Sequence, residues 1–146
     1  MAYTTMATTK GGRDGRAILA DGGLALAMAL PKEMGGTGEG QNPEQLFALG
    51  YSSCFGQAIL ALSKKHGLDG TAAKVTCAVT IDKDEVSFGL KVELKVSLPG
   101  ADRQKVQAVV EDAHKIWPYS RATGGNVSVT LKPLLSEGPL LATLIE

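Results

Sequence analysis

Cys54 is the residue of this sequence with the clearest chemical potential. It lies near the end of a segment in which small and apolar residues surround a single thiol, residues 42–56. A cysteine attacks an electrophile as the thiolate, and near neutral pH most cysteine side chains are protonated. A reactive Cys54 therefore needs a cation nearby. The alternative is that Cys54 is a buried small hydrophobic residue, a common role for a free cysteine.

Arg13 is the natural candidate for that cation. It lies between glycines in the segment Gly-Gly-Arg-Asp-Gly, residues 11–15. Glycines on both sides let the backbone bend so that the guanidinium can point inward. A planar guanidinium can hold a carboxylate with two donors and still face a thiolate. Arg16 and Arg121 are competing cations, and Arg13 could equally be a solvated arginine in a turn.

Glu44 is the carboxylate that could orient Arg13. It also lies in the first turn of a predicted helix, where an acidic side chain is favourable without any catalytic role. Glu44 and Cys54 lie ten residues apart in the sequence, about 15 Å along a helix. One guanidinium cannot contact both within a single straight helix, so a shared site needs a second chain or a broken helix. We infer a homodimer in which Cys54 faces the partner's Glu44.

The helix that carries both residues has the clearest signals in the sequence. Asn42 is a good N-cap, and Gln45 lies where a capping box requires Glu or Gln. The pattern continues to about His66, and Gly67 is a typical stop. Because residues 46–62 are apolar nearly all round, we expect most of the helix to be buried. One stripe has a small centre that would let another backbone approach closely: Leu46, Gly50, Cys54, Ala58 and Leu62.

Strands precede and follow this helix. Alternation of apolar and polar residues predicts six strands, at residues 3–9, 16–20, 24–30, 74–81, 88–98 and 127–131. Helical spacing predicts a second, amphipathic helix over residues 102–117, ended by Pro118. The order βββ-α-ββ-α-β predicts an α+β fold with antiparallel sheets and a long buried central helix. We expect one domain over residues 1–146, of which 134–146 form an apolar-rich tail of unassigned state.

Composition excludes several classes of function. Fifteen basic residues balance fifteen acidic residues, so the net charge favours neither nucleic acid nor an anionic membrane as a partner. The Thr-rich N-terminus is not a secretory signal, and we find no run approaching the roughly 20 apolar residues of a membrane span. We therefore expect a cytoplasmic protein.

The remaining cysteine and the two histidines have ordinary structural interpretations. Cys54 and Cys77 are too few for a disulfide scaffold or a cysteine-only metal site. Cys77 falls on the apolar face of a strand, so we expect it in the core. His66 and His114 lack metal-ligand spacing; we expect His114 in packing or capping and His66 in solvent. No metal site is predicted.

Four ordered motifs resemble those of the organic hydroperoxide resistance (Ohr) proteins of the OsmC superfamily. They are Gly-Gly-Arg-Asp-Gly-Arg at 11–16, Asn-Pro-Glu-Gln-Leu-Phe-Ala at 42–48, Gly-Tyr-Ser-Ser-Cys-Phe at 50–55, and the segment 113–127 with its Pro-Tyr-Ser. The resemblance covers most of the chain, from Gly11 to about Leu131. It implies an intertwined α+β homodimer with two sites at the subunit interface.

The resemblance also implies a reaction. The cysteine matching Cys54 attacks the peroxide O–O bond and becomes a sulfenic acid. The arginine matching Arg13 stabilises the thiolate, and the glutamate matching Glu44 holds that arginine. A second cysteine then forms a disulfide, which a dithiol such as lipoamide or a lipoylated protein reduces. That cysteine belongs immediately before Pro-Tyr-Ser, where this chain has Trp117.

Trp117 separates the two halves of this reaction. Peroxide attack needs Cys54, Arg13 and an apolar pocket, which would favour organic hydroperoxides over hydrogen peroxide. The candidate pocket residues are Phe47, Tyr51, Phe55 and Trp117. Resolution of the sulfenic acid would need an external thiol, since no second thiol lies at the expected place. No cofactor is required.

The expected function is therefore an Ohr-like thiol peroxidase that works with one cysteine, Cys54. One alternative is a non-catalytic ligand-binding or redox-sensing protein on the same scaffold, in which Trp117 lines a site for an apolar ligand. Another is a structural relative in which the motif residues serve only the fold and the dimer.

Overall fold

The computed structural model describes residues 1–134, which form two compact units, Met1–Leu46 and a second that begins at Phe47. The predicted tail at 134–146 lies outside the described residues except for Leu134. The prediction of one domain is not tested by this division.

The first unit is built on a small antiparallel sheet. Its strands are β1 (Ala7–Lys10), β2 (Arg16–Leu19) and β3 (Ala25–Ala27), in the order β1-β2-β3. Short 3₁₀ helices at Gly12–Asp14 and Lys32–Met34 follow β1 and β3.

The third strand is shorter than the sequence predicts. The alternation of residues 24–30 predicts a full strand, but pairing with β2 covers only Ala25–Ala27, and Leu24 is exposed. From Met28 onward the chain leaves β2 and forms a parallel bridge to Gln41. This change of partner brings the segment beside the start of the long helix.

The long helix α1 (Pro43–Ser63) begins as the capping box predicts. The Asn42 N–H donates to Oε1 of Gln45, and the Gln45 N–H donates to Oδ1 of Asn42, both at 2.9 Å. A 3₁₀ turn, Lys64–His66, continues the helix and ends at Gly67, whose φ of 69° suits glycine. The predicted end of the helical region is therefore confirmed.

The second unit packs helices on a three-stranded sheet. Its elements after α1 are β4 (Lys74–Lys83), β5 (Phe88–Ser97), α2 (Arg103–Ile116), α3 (Pro118–Thr123) and β6 (Ser128–Leu134). Strands β4 and β5 are antiparallel, as expected for the α+β class, which is confirmed. Strand β6 pairs parallel to β5, because α2 and α3 carry the chain back over the sheet before it re-enters.

The core of the second unit lies where α1 and α2 meet β5. Fully buried apolar side chains come from all three elements: Tyr51, Phe55, Ala58, Ile59, Val92, Leu94, Val96, Val106, Val109, Val110 and Ala113. The α2 residues recur at three- and four-residue spacing, which places them on one face of that helix. Pro118 ends α2 as predicted and also occupies the first position of α3, where its missing N–H costs nothing.

The burial of α1 differs from expectation. Only 28% of its most apolar 18-residue window is buried, so most of the helix is not buried within this chain. Leu49 and Leu60 are 64% and 44% exposed. By length and composition the helix is also apolar enough to cross a membrane, contrary to the expectation that no such run exists. One such helix is a weak indication of a membrane span, since a core helix of a soluble protein has the same composition.

His66 is not solvated as expected. Its Nε2 lies 3.0 Å from Oδ2 of Asp112 on α2, and its side chain is only 19% exposed. The contact ties the end of the α1 region to α2.

Candidate functional site

Arg13 and Glu44 form a two-pronged ion pair in the first unit. Nη1 of Arg13 donates to Oε2 of Glu44, and Nη2 donates to Oε1, both at 2.8 Å. This fork-to-carboxylate geometry is the strongest form of the interaction and fixes the orientation of both groups. The Glu44 side chain is 15% exposed and the Arg13 side chain 38%, so Arg13 remains partly accessible.

The pair changes the electrostatics of both side chains. The hydrogen bonds from Arg13 hold the pKa of Glu44 below its usual value, and those to Glu44 raise the pKa of Arg13. Both groups are therefore charged across the physiological pH range. Arg16 and Arg121, the competing cations, are exposed on β2 and α3.

The loop that carries Arg13 owes its shape to glycine. Gly11 has a φ of 79°, a left-handed conformation that other residues rarely adopt. A Cβ on Gly15 would lie 1.7 Å from the carbonyl oxygen of Lys10, so no other residue fits there. The sequence expectation that glycines allow this turn is confirmed.

Cys54 lies in the middle of α1, in the second unit. Its side chain is half-buried, between the buried face of Phe55 and Ala58 and the exposed face that carries Leu49. The expectation of a thiol enclosed among apolar neighbours is only partly met, because one side of Cys54 remains accessible in this chain.

Cys77 has a different environment. It lies on β4 opposite Leu94, packs against the core, and has a pKa raised to about 11 by burial. Because Cys77 is only partly buried, its expected place in the core is met in part, and a thiol with a raised pKa is a poor nucleophile near neutral pH.

Three aromatic side chains of the second unit, Phe47, Tyr51 and Tyr119, form a cluster. The ring centroids of Phe47 and Tyr51 lie 5.8 Å apart, and those of Tyr51 and Tyr119 lie 5.7 Å apart in an edge-to-face arrangement. Such contacts favour a fixed geometry. Tyr119 on α3 belongs to the Pro-Tyr-Ser motif but is not one of the predicted pocket residues.

The predicted pocket residues do not share one environment. Tyr51 and Phe55 are 0% and 1% exposed and belong to the core. Phe47 and Trp117 are half-buried and pack against that core from outside. Only these two therefore offer surface to a ligand within this chain.

A hydrogen-bond relay fixes α3 against α1. Thr123 Oγ1 donates to the carbonyl oxygen of Tyr119 at 3.0 Å, so it accepts from the Tyr51 hydroxyl at 3.2 Å. Trp117 is the residue between α2 and α3 and caps both. The relay therefore holds the helix that starts beside Trp117.

At Gly50 the small stripe of α1 lies against the Tyr119 side chain. A Cβ on Gly50 would lie 3.0 Å from the Tyr119 hydroxyl oxygen. Glycine at this position leaves room for Tyr119, and a Cβ there would require the Tyr119 side chain to shift by a few tenths of an ångström. Among residues 1–134 no group of three or more His, Cys, Asp or Glu side chains is arranged to hold a metal ion.

Comparison with known proteins identifies the family. The profile of the family described as "OsmC-like protein" matches residues 36–132. The organic hydroperoxide resistance protein of Xanthomonas axonopodis pv. citri (strain 306) is 44% identical over 132 residues, which cover 88% of this chain and 92% of that protein. The chain belongs to the OsmC-like family. The resemblance carried by the four sequence motifs is therefore confirmed.

Solved structures agree with this assignment. The crystal structure of an organic hydroperoxide resistance protein from Legionella pneumophila superimposes with a TM-score of 0.86 at 38% identity, covering 92% of this chain and 99% of that chain. The OhrB protein of Bacillus subtilis gives a TM-score of 0.81 at 38% identity, covering 90% and 98%. The OsmC-like α+β fold is thus shown.

The burial of Cys77 predicts slow chemistry at that residue. At pH 8 a thiol with a pKa of about 11 is only about 0.1% thiolate, against about a quarter for an ordinary cysteine. The greater nucleophilicity of a more basic thiolate recovers part of this difference. We expect iodoacetamide to alkylate Cys77 at least about tenfold more slowly than free cysteine, measured by mass spectrometry on a Cys54→Ser variant. Alkylation at the free-cysteine rate would contradict the buried environment.

The Arg13–Glu44 pair predicts a pH dependence of stability. Because the pKa of Glu44 is lowered by folding, the pair stabilises the protein fully above the pKa of an unfolded glutamate, about 4.3. This stabilisation is lost as the pH falls through the lowered value. We expect the difference in unfolding free energy between the parent and Glu44→Gln to be constant near neutral pH and to shrink below about pH 4.3.

Urea denaturation between pH 7 and pH 3 measures this difference. Glu39→Gln, an exposed glutamate of the same unit, is the matched control. Parallel stability curves for the parent and Glu44→Gln down to pH 3 would show that the pair does not form in solution.

Proposed function

We propose that this protein is a thiol peroxidase that reduces organic hydroperoxides with one catalytic cysteine. The observation that carries the proposal is the two-pronged Arg13–Glu44 pair, which holds an arginine whose side chain stays partly exposed. Such a cation can stabilise a thiolate and the oxygen that leaves during O–O cleavage. The related proteins named for organic hydroperoxide resistance support the substrate class.

Cys54 is the proposed nucleophile. Its thiolate attacks one oxygen of ROOH, the O–O bond breaks, and one proton completes the alcohol, so that Cys54 becomes a sulfenic acid and ROH leaves. Two external thiols then return Cys54 to the thiol and release water and their own disulfide. The peroxide is reduced and the external thiols are oxidised, so no metal or organic cofactor is needed.

The external reductant follows from the cysteine count. The sequence has two cysteines, and Cys77 is a partly buried strand residue with a raised pKa. Trp117 stands immediately before Pro-Tyr-Ser, where the family resemblance places the resolving cysteine. We therefore propose that a small thiol or a dithiol such as lipoamide, free or on a lipoylated protein, reduces the sulfenic acid. We place this reaction in the cytoplasm.

The proposed site needs two copies of the chain. Ten residues of continuous α1 separate Glu44 from Cys54, about 15 Å, so the thiol of one chain would face the Arg13–Glu44 pair of its partner. The exposed apolar face of α1, with Leu49 and Leu60, supports a second copy packed on this helix. Phe47 and Trp117 would then line the pocket for the organic group.

Turnover with cumene hydroperoxide tests the reaction. We expect multiple turnovers with dihydrolipoamide or a monothiol, and a loss of at least about a thousandfold in Cys54→Ser, because the nucleophile is gone. Cys77→Ser is the matched control and should keep the parent activity. Trp117→Cys should shift the preference toward the dithiol.

A different outcome would support the alternative function. If the parent consumes at most one equivalent of peroxide while Trp117→Cys turns over, the site attacks peroxide but cannot complete a cycle. The protein would then be a ligand-binding or redox-sensing relative, and the peroxidase proposal would be wrong.

The molecular mass in solution tests the homodimer. We expect sedimentation equilibrium to give twice the chain mass of 15.2 kDa. Leu49→Glu places a charge on the exposed face of α1 and should shift the protein toward the monomer. Val86→Glu changes an apolar side chain that is 94% exposed in the β4–β5 turn, and should leave the mass unchanged. A monomeric parent would refute the shared site.

A further inference from the structure

One backbone segment, residues 27–30, holds the Arg13 loop on one side. The Met28 N–H donates to the carbonyl oxygen of Gly15 at 2.9 Å. The Leu30 N–H donates to Oδ1 of Asp14 at 3.2 Å. Asp14 and Gly15 therefore both attach the loop to this segment. Gly15 does so through its backbone carbonyl and Asp14 through its side chain.

The same segment holds the start of α1 on its other side. The Ala29 N–H donates to the carbonyl oxygen of Gln41 at 3.0 Å, and the Gln41 N–H donates to the carbonyl oxygen of Ala27 at 2.9 Å. Gln41 directly precedes the N-cap Asn42. Because the peptide groups of an extended segment point alternately to opposite sides, one stretch of chain can hold both neighbours. The segment thereby sets the position of Arg13 relative to Glu44.

The side-chain hydrogen bond of Asp14 is the contact of this arrangement that a substitution can remove. Asp14 is exposed, so its hydrogen bond is not needed to satisfy a buried carboxylate. The β1–β2 pair Lys10–Arg16 holds the two ends of the loop, but the bond that closes its turn, from the Asp14 N–H to the Gly11 carbonyl oxygen, is 3.3 Å long. Glycine-rich turns also lose more conformational freedom on ordering than other turns. A contact that fixes residue 14 therefore also restricts residue 13.

We propose that Asp14 is a positioning residue: by binding the Leu30 N–H it fixes the turn so that the Arg13 guanidinium meets Glu44 with two N–H groups. Its effect on turnover rests on the proposed peroxidase function, whereas its effect on the ion pair does not. Both Arg13–Glu44 bonds are 2.8 Å long, so a shift of the loop by about 1 Å would break one of them. Misplacements of that size can reduce enzymatic rates by about a hundredfold.

The first measurement is the titration of the Glu44 carboxyl carbon by ¹³C NMR. The parent should titrate below the ordinary range for glutamate, because Arg13 holds the pKa of Glu44 down. In Asp14→Ala the midpoint should move up toward the ordinary range. Asp14→Asn keeps an Oδ1 acceptor and should retain the parent value. A role of Asp14 in overall folding alone would not produce this difference between folded variants.

Asp21→Ala is the matched control. Asp21 also accepts a backbone hydrogen bond in an exposed turn of the same unit, from the Gly23 N–H at 2.8 Å. It lies at the far end of β2, which begins at Arg16, about 13 Å from the Arg13 loop. Its replacement should leave both the Glu44 titration and turnover at parent values. Asp14→Ser serves in place of Asp14→Ala if that variant does not fold by circular dichroism.

The second measurement is kcat/KM for cumene hydroperoxide. Asp14→Ala should lower it by about ten- to a hundredfold, and Asp14→Asn by less than about threefold. If Asp14 acts through Arg13, Asp14→Ala should cause no further loss in an Arg13→Ala background.

The outcomes distinguish a failure of this inference from a failure of the proposed function. A Glu44 midpoint unchanged by Asp14→Ala overturns the inference, and so does an equal loss of kcat/KM with and without Arg13. If the parent shows no turnover, the proposed function fails, and the Glu44 titration alone decides the role of Asp14.

Discussion

The rigidity of α1 is the constraint on which the rest of the arrangement depends. The helix is continuous from Pro43 to Ser63, with Glu44 in its first turn and Cys54 near its middle. A helix rises about 1.5 Å per residue, so these two side chains cannot converge on one guanidinium within one copy. The structure places Arg13 on Glu44, at the start of the helix. In the proposed peroxidase, Arg13 would therefore activate Cys54 of a second chain, and the apolar helix that one chain leaves largely uncovered is consistent with that proposal.

The ion pair is held by backbone geometry as much as by charge. An exposed salt bridge contributes little, because it is screened and its side chains lose freedom. Here both partners are fixed before they meet: Glu44 by the capping box at Asn42 and Gln45, and the Arg13 loop by its glycines and its attachment to residues 27–30. Such preorganisation suits a site that must stabilise charge without rearranging.

The second unit fixes the position of Trp117. Its core fixes α3 through the Tyr51–Thr123 hydrogen bond, and α3 begins directly after Trp117. The indole therefore stands at a structurally fixed junction between two helices. The family resemblance places a cysteine at this position. The large aromatic side chain of Trp117 adds apolar surface there but cannot react as a thiol would. In the proposed peroxidase, substrate affinity and the fate of an oxidised Cys54 would both depend on Trp117.

Much of the fold followed from local patterns. Capping residues and periodicity located α1, α2 and the β4–β5 pair, because their signals depend only on neighbouring residues. The motif residues Arg13, Glu44 and Cys54 were also identifiable, since glycine-flanked arginine, helix-start glutamate and a lone thiol are local features. Three features could not be predicted from local patterns: the parallel pairing of β6, the early end of β3 at Ala27 and the contact of His66 with Asp112. Each depends on which distant segment arrives beside it.

The sequence by itself determined most of the elements, the family and the candidate chemistry. Only the tertiary structure decided that Arg13 binds Glu44 and does not simply face solvent, because that contact joins residues 31 positions apart. It also decided that Tyr51 and Phe55 belong to the core while Cys54 stays half-exposed, although all three lie on one apolar helix. An apolar pattern indicates that a helix has a face that can be buried. The packing of β5 and α2 determines which face of α1 is buried.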